Sequence, residues 1–165
     1  MTRPLVPYAE ASRLLFNIPI IRLSSRLSAI VQNDVLEPFG LKSVEWRILF
    51  NLAMTGDTHL RQIARNSSAD ASYVSRIIAR MEKNGLVERY AHATDGRRTQ
   101  FSATAKGQAM VDEILPKVAA ISDEFRALFT SDELALLQTI LDRAIDHANR
   151  KLDNDDPSKR VSRLT

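Results

Sequence analysis

The chain has 165 residues, enough to bury one hydrophobic core, so we expect one functional unit. It contains no cysteine, which excludes both disulfide bonds and a thiol redox switch. The net charge of +3 is unevenly spread, because residues 60–107 hold nine Lys/Arg against four Asp/Glu, whereas residues 108–165 hold eight against eleven. Basic charge is therefore concentrated in the middle of the chain.

The N-terminal segment predicts an arm followed by a long helix. Prolines interrupt the first ten residues and arginines break the more apolar stretch that follows, so no secretory signal or membrane span is expected and we predict a cytoplasmic protein. Pro19 cannot lie deep in a helix, because it removes a hydrogen bond and clashes with the preceding turn. Asn17 is therefore predicted to cap a helix from about Ile18 to Glu37, within an N-terminal region of residues 1–37.

Two further helices and a turn are predicted before the middle of the chain. Ser43 can cap a helix from Val44 to about Met54, whose apolar residues recur at helical spacing. Thr58 can cap a short third helix that ends at Arg65. Residues 66–68 then turn the chain into a longer helix.

That longer helix has one apolar face and one polar face. Val74, Ile77, Ile78 and Met81 fall at i, i+3, i+4 and i+7, which predicts a buried stripe. Asp70 or Ser68 can cap its start, and the Asn84-Gly85 pair supplies the left-handed residue that ends it. A short helix, a tight turn and a longer helix compose a helix-turn-helix, whose second helix enters the major groove of DNA. On this helix the predicted DNA contacts are Ser72, Tyr73, Ser75, Arg76 and Arg80, and lower-ranked phosphate contacts are Arg61, Arg65 and Lys83.

A hairpin is predicted after this helix. Leu86–Tyr90 and Thr99–Ser102 have strand-like composition, and the loop between them contains the turn signal Asp95-Gly96. Two arginines near the tip suit the minor groove or a row of phosphates, because that groove concentrates negative potential and admits slender cationic groups. We predict Arg97 and Arg98 as DNA contacts, and Asp95 and Gly96 as structural residues of this wing.

The C-terminal third predicts two long helices. Thr104 can cap a helix that runs towards Phe129 and is kinked at Pro116, and residues 130–133 fit a capping box for a last helix that ends near Lys151. One small domain cannot absorb both apolar stripes, so mutual burial between two chains is expected. The remaining tail, residues 152–165, is polar and charged, and we expect it to be disordered.

Two central segments resemble the MarR family of bacterial transcription regulators. They read LRQIARNSSADASYVSRIIARMEK and GLVERYAHATDGRRTQFSATAKG, and the resemblance extends from about Pro19 to Lys151. It implies an obligate homodimer that binds a pseudo-palindromic operator, usually as a repressor, and is often released by a small ligand. It also implies that Ser75 and Arg76 face the groove and that Asp95-x-Arg97 is the wing motif.

The expected fold is mainly α with a small β-hairpin wing. A winged helix-turn-helix DNA-binding region, residues 41–103, is predicted between an N-terminal dimerisation helix and C-terminal dimerisation helices at residues 104–151. The expected partners are double-stranded DNA, a second copy of the chain and a small-molecule effector, with no membrane partner.

A ligand site in regulators of this family lies between the first two helices and the long helix that follows the wing. Five residues would pair an aromatic wall with cations for an anionic aromatic ligand, namely Arg22, Arg26, Trp46, Arg47 and Phe50. In the alternative interpretation the two aromatic residues are core, and the arginines pair with Glu45, Glu37 or the partner chain.

No pattern in the sequence indicates catalysis or metal binding. The three histidines fall in different elements without metal-ligand spacing, and adjacent acidic residues on a helix point about 100° apart, so they cannot face each other. We therefore predict no enzyme activity, catalytic residue, cofactor or metal. The competing function is a winged-helix module for protein interaction or dimerisation, which an apolar exposed face on the recognition helix would favour.

Overall fold

The computed structural model describes residues 15–56, 58–67, 70–91 and 99–154. In these ranges the chain is mainly helical and contains one two-stranded hairpin, which confirms the predicted fold class. The chain divides into two compact units, residues 1–119 and 120–165. No helix in the described ranges combines the length and the apolar character needed to cross a membrane.

The first helix, α1, comprises Asn17–Val31 and continues as a π-helical turn at Gln32–Leu36 and a 3-10 turn at Glu37–Phe39. Its extent matches the prediction, but the predicted cap at Asn17 is wrong. The N–H of Ile18 already bonds the carbonyl of Leu15 at 3.2 Å, so helical structure begins one residue earlier. Asn17 thus lies inside the first turn, where no side chain caps the helix.

Helix α2, Ser43–Thr55, also begins without its predicted cap. The N–H and hydroxyl of Ser43 both donate to Oε1 of Gln32, at 2.8 and 3.0 Å, so this side chain ties α2 to the π-helical turn instead. The residue at the cap position is Lys42, whose N–H donates to a Glu45 carboxylate oxygen at 2.8 Å. The prediction missed Gln32 because this partner lies eleven residues away in the chain.

Helix α3, Leu60–Asn66, follows a second incorrect cap prediction. Thr58 pairs through its backbone with Phe101, with N···O distances of 3.1 and 2.9 Å, and so forms an isolated bridge to the hairpin. The residue that precedes the helix is His59, whose side chain makes no capping bond. The start of the helix-turn-helix is therefore held by the hairpin and not by a threonine cap.

Helix α4, Ala71–Lys83, ends as predicted. Gly85 has a φ of 69°, and the N–H groups of Gly85 and Leu86 donate to the carbonyls of Glu82 and Met81 at 2.9 and 3.0 Å. This paired arrangement satisfies two carbonyls that the end of a helix would otherwise leave free. The direction of the chain after the helix is thereby fixed.

The hairpin consists of β1, Val87–Ala91, and β2, Thr99–Ala103, paired antiparallel with Arg89 opposite Phe101. Each strand differs from its predicted bounds by one residue. The loop that joins them, residues 92–98, lies outside the described residues, and the predicted wing-tip residues lie in it.

The core of the first unit is built from the apolar faces of these elements. The stripe predicted on α4 is buried, and Leu86, Val87 and Phe101 bring the hairpin into the same core. Burial of one face leaves the opposite face of α4 on the surface. The largest fully buried apolar side chains are Leu36, Ile48, Leu49, Leu52, Ile63, Val74, Ile78, Met81, Val111 and Ile114.

Helix α5, Ala105–Arg126, is capped by Thr104 as predicted. The Thr104 hydroxyl oxygen accepts the N–H of Gly107 at 3.0 Å, and the hydroxyl donates to the carbonyl of Gly85 at 2.6 Å. The helix continues through Pro116 and ends three residues before the predicted Phe129.

Helix α6, Ser131–Asn154, begins with the predicted capping box. The N–H of Thr130 donates to Glu133 at 2.8 Å, and the N–H of Glu133 donates to the Thr130 hydroxyl at 3.3 Å. The bond from the Thr130 backbone, helped by its hydroxyl, lowers the pKa of Glu133 below its usual value. The helix extends three residues into the segment predicted to be disordered, and residues 155–165 lie outside the described residues.

Gly107 packs against the backbone where α4 ends. A Cβ atom there would overlap the carbonyl oxygen of Leu86 and lie 3.1 Å from Leu49 Cδ1. Helix propensity alone predicts that Gly107→Ala stabilises the protein by about 1 kcal/mol. We expect instead a destabilisation of about 1–3 kcal/mol, measured by urea unfolding, because the new methyl group overpacks a backbone contact.

The control is Ala109→Gly in the exposed part of the same helix. It should cost about 1 kcal/mol through propensity alone. If Gly107→Ala raised the unfolding free energy, the proposed steric requirement at this glycine would be wrong.

Candidate nucleic-acid interface

The start of α4 is fixed by Asp70. Its Oδ1 accepts the N–H of Ser72 at 2.9 Å and that of Tyr73 at 3.2 Å. Of the two predicted caps, the structure thus assigns this role to Asp70, while Ser68 lies outside the described residues. A capped helix start holds the first exposed turn in one conformation.

The exposed face of α4 carries polar and cationic side chains. Ser72, Tyr73, Ser75 and Arg76 are all exposed, as the prediction requires of groove-facing residues. The guanidinium of Arg76 lies 5.8 Å from the centroid of the Tyr73 ring, a separation at which the cation is attracted to the ring face. The face thus offers hydroxyl and guanidinium donors, the groups that bond base edges in the major groove.

A groove of about 610 Å³ adjoins this face. It lies where α3 begins and where α4 meets the hairpin, and Phe101 forms part of its wall. Ser75 and three basic residues, His59, Arg61 and Arg89, line it. Hydroxyl and cationic groups on one concave surface are suited to a phosphate backbone. The remaining lining residues are Leu60, Thr99 and Gln100.

Arg89 in this groove was not predicted as a site residue. Its Nε and Nη2 donate to the two carboxylate oxygens of Glu82 at 3.0 and 2.8 Å, and its guanidinium lies 5.3 Å from the Phe101 ring centroid. The paired geometry ties β1 to the last turn of α4. No local sequence pattern marks Arg89, because its contact with Phe101 depends on the register of the hairpin, in which the two residues lie directly opposite each other.

Arg80, a predicted DNA contact, has an intramolecular partner. Its Nε and Nη2 lie 2.9 and 2.8 Å from Oε1 of Glu45, a carboxylate that is only 4% exposed. The Arg80 side chain itself remains 56% exposed, so the ion pair lies at the edge of the recognition face. No local pattern in the sequence indicates this contact, which joins residues 35 positions apart.

Comparison with known proteins identifies the family. A family model described as "MarR family" matches residues 41–99. The uncharacterized HTH-type transcriptional regulator YwoH of Bacillus subtilis is 33% identical over 113 residues, which cover 68% of this chain and 82% of the relative. The chain belongs to the MarR family. It is accordingly a helix-turn-helix transcriptional regulator, and the predicted resemblance is confirmed.

Two further comparisons agree with this assignment. The homoprotocatechuate degradative operon repressor of Escherichia coli is 24% identical over 136 residues, covering 82% of this chain and 92% of the relative. The crystal structure of NadR in complex with 4-hydroxyphenylacetate superposes with a TM-score of 0.72 at 24% identity, covering 87% of this chain and 96% of that chain. This chain therefore shares its fold with NadR, which was crystallised with an aromatic acid.

The residues predicted to form the MarR ligand pocket fall into two groups. Trp46 is buried and its ring lies 5.5 Å from that of Phe50, with the exposed Arg47 beside it in the chain. Arg22 and Arg26 instead line a depression of about 330 Å³ on α1, which does not include the aromatic pair. Glu45, one of the partners named for these arginines in the alternative interpretation, is bound by Arg80.

The described part of this MarR-family chain contains no group of three or more His, Asp or Glu side chains that is arranged to hold a metal ion. His59 and His147, the two histidines in that part, lie before α3 and in α6. The predicted wing contacts Arg97 and Arg98, with Asp95 and Gly96, lie outside the described residues and stay predictions.

Proposed function

We propose that this MarR-family regulator is a homodimeric repressor of a pseudo-palindromic operator, acts in the cytoplasm, and is released by a small anionic aromatic ligand. The observation that carries the DNA-binding role is the two-faced character of α4. One face is buried in the core, and the other presents Ser72, Tyr73, Ser75 and Arg76 beside a cationic groove. A helix so exposed fits the major groove.

The competing role as a protein-interaction module requires a different surface. A partner protein would be bound best through an exposed apolar face on the recognition helix, since the centres of such interfaces are depleted in charged residues. Tyr73, 45% exposed, is the one large apolar side chain of α4 that is exposed, and Arg76 lies over its ring. The surface therefore favours DNA.

Each of the two units leaves large apolar side chains exposed at positions away from the polar face of α4. Near the start of α1 these are Leu15, Phe16, Ile20, Ile21 and Leu23; beyond α5 and along α6 they are Leu128, Phe129, Leu136, Leu137, Ile140, Ile145 and Leu152. Exposed large apolar side chains in this number support association with another chain. A two-fold symmetric dimer would present two recognition helices to a two-fold operator.

The proposed ligand response follows from the geometry of a two-fold operator. Two half-sites one helical turn apart require recognition helices about 34–36 Å apart. A ligand can release the protein only if it binds one separation of these helices better than another. The NadR complex with 4-hydroxyphenylacetate supports an aromatic acid as the ligand class, and Arg22, Arg26, Trp46, Arg47 and Phe50 are the proposed recognition residues.

DNA binding is tested with two arginine variants. Arg97→Ala should weaken binding to all duplexes and lower the slope of log affinity against log salt by about 1, because one phosphate contact is lost. Arg76→Ala should in addition lower the preference for the selected operator over a scrambled duplex. Fluorescence anisotropy across a salt series measures both quantities.

Arg150→Ala serves as the charge control, because it removes the same charge from an exposed position on α6. It should change neither the salt slope nor the sequence preference appreciably. If neither the Arg76 nor the Arg97 variant changed DNA binding, the proposed DNA contacts of α4 and of the wing would be excluded.

Dimerisation is tested on α6. Ile140→Glu places a charge in the exposed apolar stripe and should weaken self-association at least about tenfold, because a buried carboxylate without a partner is costly. Analytical ultracentrifugation measures the association constant. Thr139→Glu introduces the same group about 100° around the helix, away from the stripe, and should leave the dimer intact. A monomeric unaltered protein would contradict the proposal.

Ligand response is tested with a panel of aromatic carboxylates that includes 4-hydroxyphenylacetate. An active compound should lower operator affinity roughly 5- to 150-fold, the usual range of coupling between two sites. The double variant Arg22→Ala/Arg26→Ala should bind DNA normally but lose this response. Operator affinity that no compound in the panel changes would contradict the proposed ligand class.

A further inference from the structure

A buried carboxylate lies beneath the recognition helix. Glu45 is 4% exposed, and its two oxygens receive three donors. One oxygen accepts the N–H of Lys42 at 2.8 Å, and the other accepts Nε and Nη2 of Arg80 at 2.9 and 2.8 Å. A carboxylate buried to this degree is tolerated only when it is paired with a cation and hydrogen-bonded. The Glu45 carboxylate therefore requires the Lys42 N–H and the Arg80 guanidinium as partners.

The arginine of this pair lies on the recognition face. Arg80 follows Tyr73 by seven residues and Arg76 by four, a spacing that places all three side chains on one side of α4. The apolar stripe on the other side is held by non-directional contacts, whereas the bonds to Glu45 have fixed donor and acceptor directions. The ion pair thus opposes rotation of α4 about its own axis.

We propose that Glu45 is a positioning residue for sequence recognition. It holds Arg80, fixes the rotation of α4 against α2, and so sets where Ser75 and Arg76 meet the base edges. The proposal rests on the DNA-binding function proposed above. Because the carboxylate neutralises the arginine, the pair adds little to the general attraction between protein and phosphates. Its effect is therefore on specificity more than on overall affinity.

Glu45→Gln tests this role, because it keeps the shape of the side chain and removes its charge. The probes are a duplex that the unaltered full-length chain selects from a random-sequence library, and a scrambled duplex of the same composition. We expect the ratio of the two affinities to fall roughly 5- to 100-fold, as when one base-edge contact is misplaced. Affinity for the scrambled duplex should stay equal or rise, since one negative charge is gone.

Two further variants isolate the pair. Arg80→Lys keeps the positive charge but loses the paired contact of Nε and Nη2 with Glu45, so it should lower the ratio of the affinities for the selected and the scrambled duplex. The double variant Glu45→Gln/Arg80→Lys should lower the affinity ratio by little more than the single variant with the larger effect, because the effects of residues that act as a unit are not additive. Glu113→Gln is the matched control, since this carboxylate on α5 is 64% exposed and its loss should not alter the ratio.

An unchanged ratio in both Glu45→Gln and Arg80→Lys overturns the positioning role. Equal losses on both duplexes also overturn it, because they indicate a lost phosphate contact or less folded protein. Circular dichroism monitors folding, and if Glu45→Gln does not fold, Arg80→Lys decides the question. Failure of the unaltered chain to select any duplex is a different result, since it contradicts the proposed DNA-binding function itself.

Discussion

The arrangement of helix α4, the hairpin and the start of α5, together called the reading unit, depends on the backbone of Leu86. Its N–H donates to the carbonyl of Met81 and so ends the recognition helix, while its carbonyl accepts the N–H of Thr104 at 3.1 Å, immediately before α5. The same carbonyl lies against Gly107, where only a hydrogen fits. Recognition helix, wing and α5 are therefore joined through the backbone of one residue, whose N–H bonds the end of α4 and whose carbonyl bonds the start of α5. A change in the direction of α5 at this point would be transmitted to both elements that are proposed to contact DNA.

The elements that the sequence predicted well are those whose signals are local. The buried stripe of α4, its end at Gly85, the cap at Thr104 and the capping box at Thr130 depend on residues within a few positions of each other. Helical period, left-handed glycine and short-range capping are rules about such neighbours. The fold could therefore be predicted from the sequence alone.

Three cap predictions failed, and in two of them, at Ser43 and Thr58, the residue is bound by a partner that is distant in the sequence, whereas at Asn17 the helix begins one residue earlier. Ser43 and Thr58 have the composition of helix caps, but Gln32 engages one and the backbone of Phe101 engages the other. Likewise, nothing in the sequence pairs Glu45 with Arg80. A polar side chain bonds to whichever partner the folded chain brings within reach. Local rules therefore identify the residues that can cap a helix, but not the bond that each of them forms. The candidate site was predictable as a face of α4, but the ion pairs that hold that face were not.

These ion pairs change how the basic charge of the central segment is distributed. Arg80 and Arg89 are each bound to a glutamate, whereas Arg61 and Arg76 lie at the groove and on the exposed face. An arginine already paired with a carboxylate releases fewer counterions on meeting DNA than its formal charge suggests. The non-specific attraction of this part of the chain to DNA should thus be smaller than a count of arginines indicates, and the paired arginines act chiefly by fixing the surfaces that carry Arg61 and Arg76. In the proposed dimer, moderate general attraction to DNA combined with a rigid recognition face would let a small change in the separation of the two recognition helices decide operator occupancy.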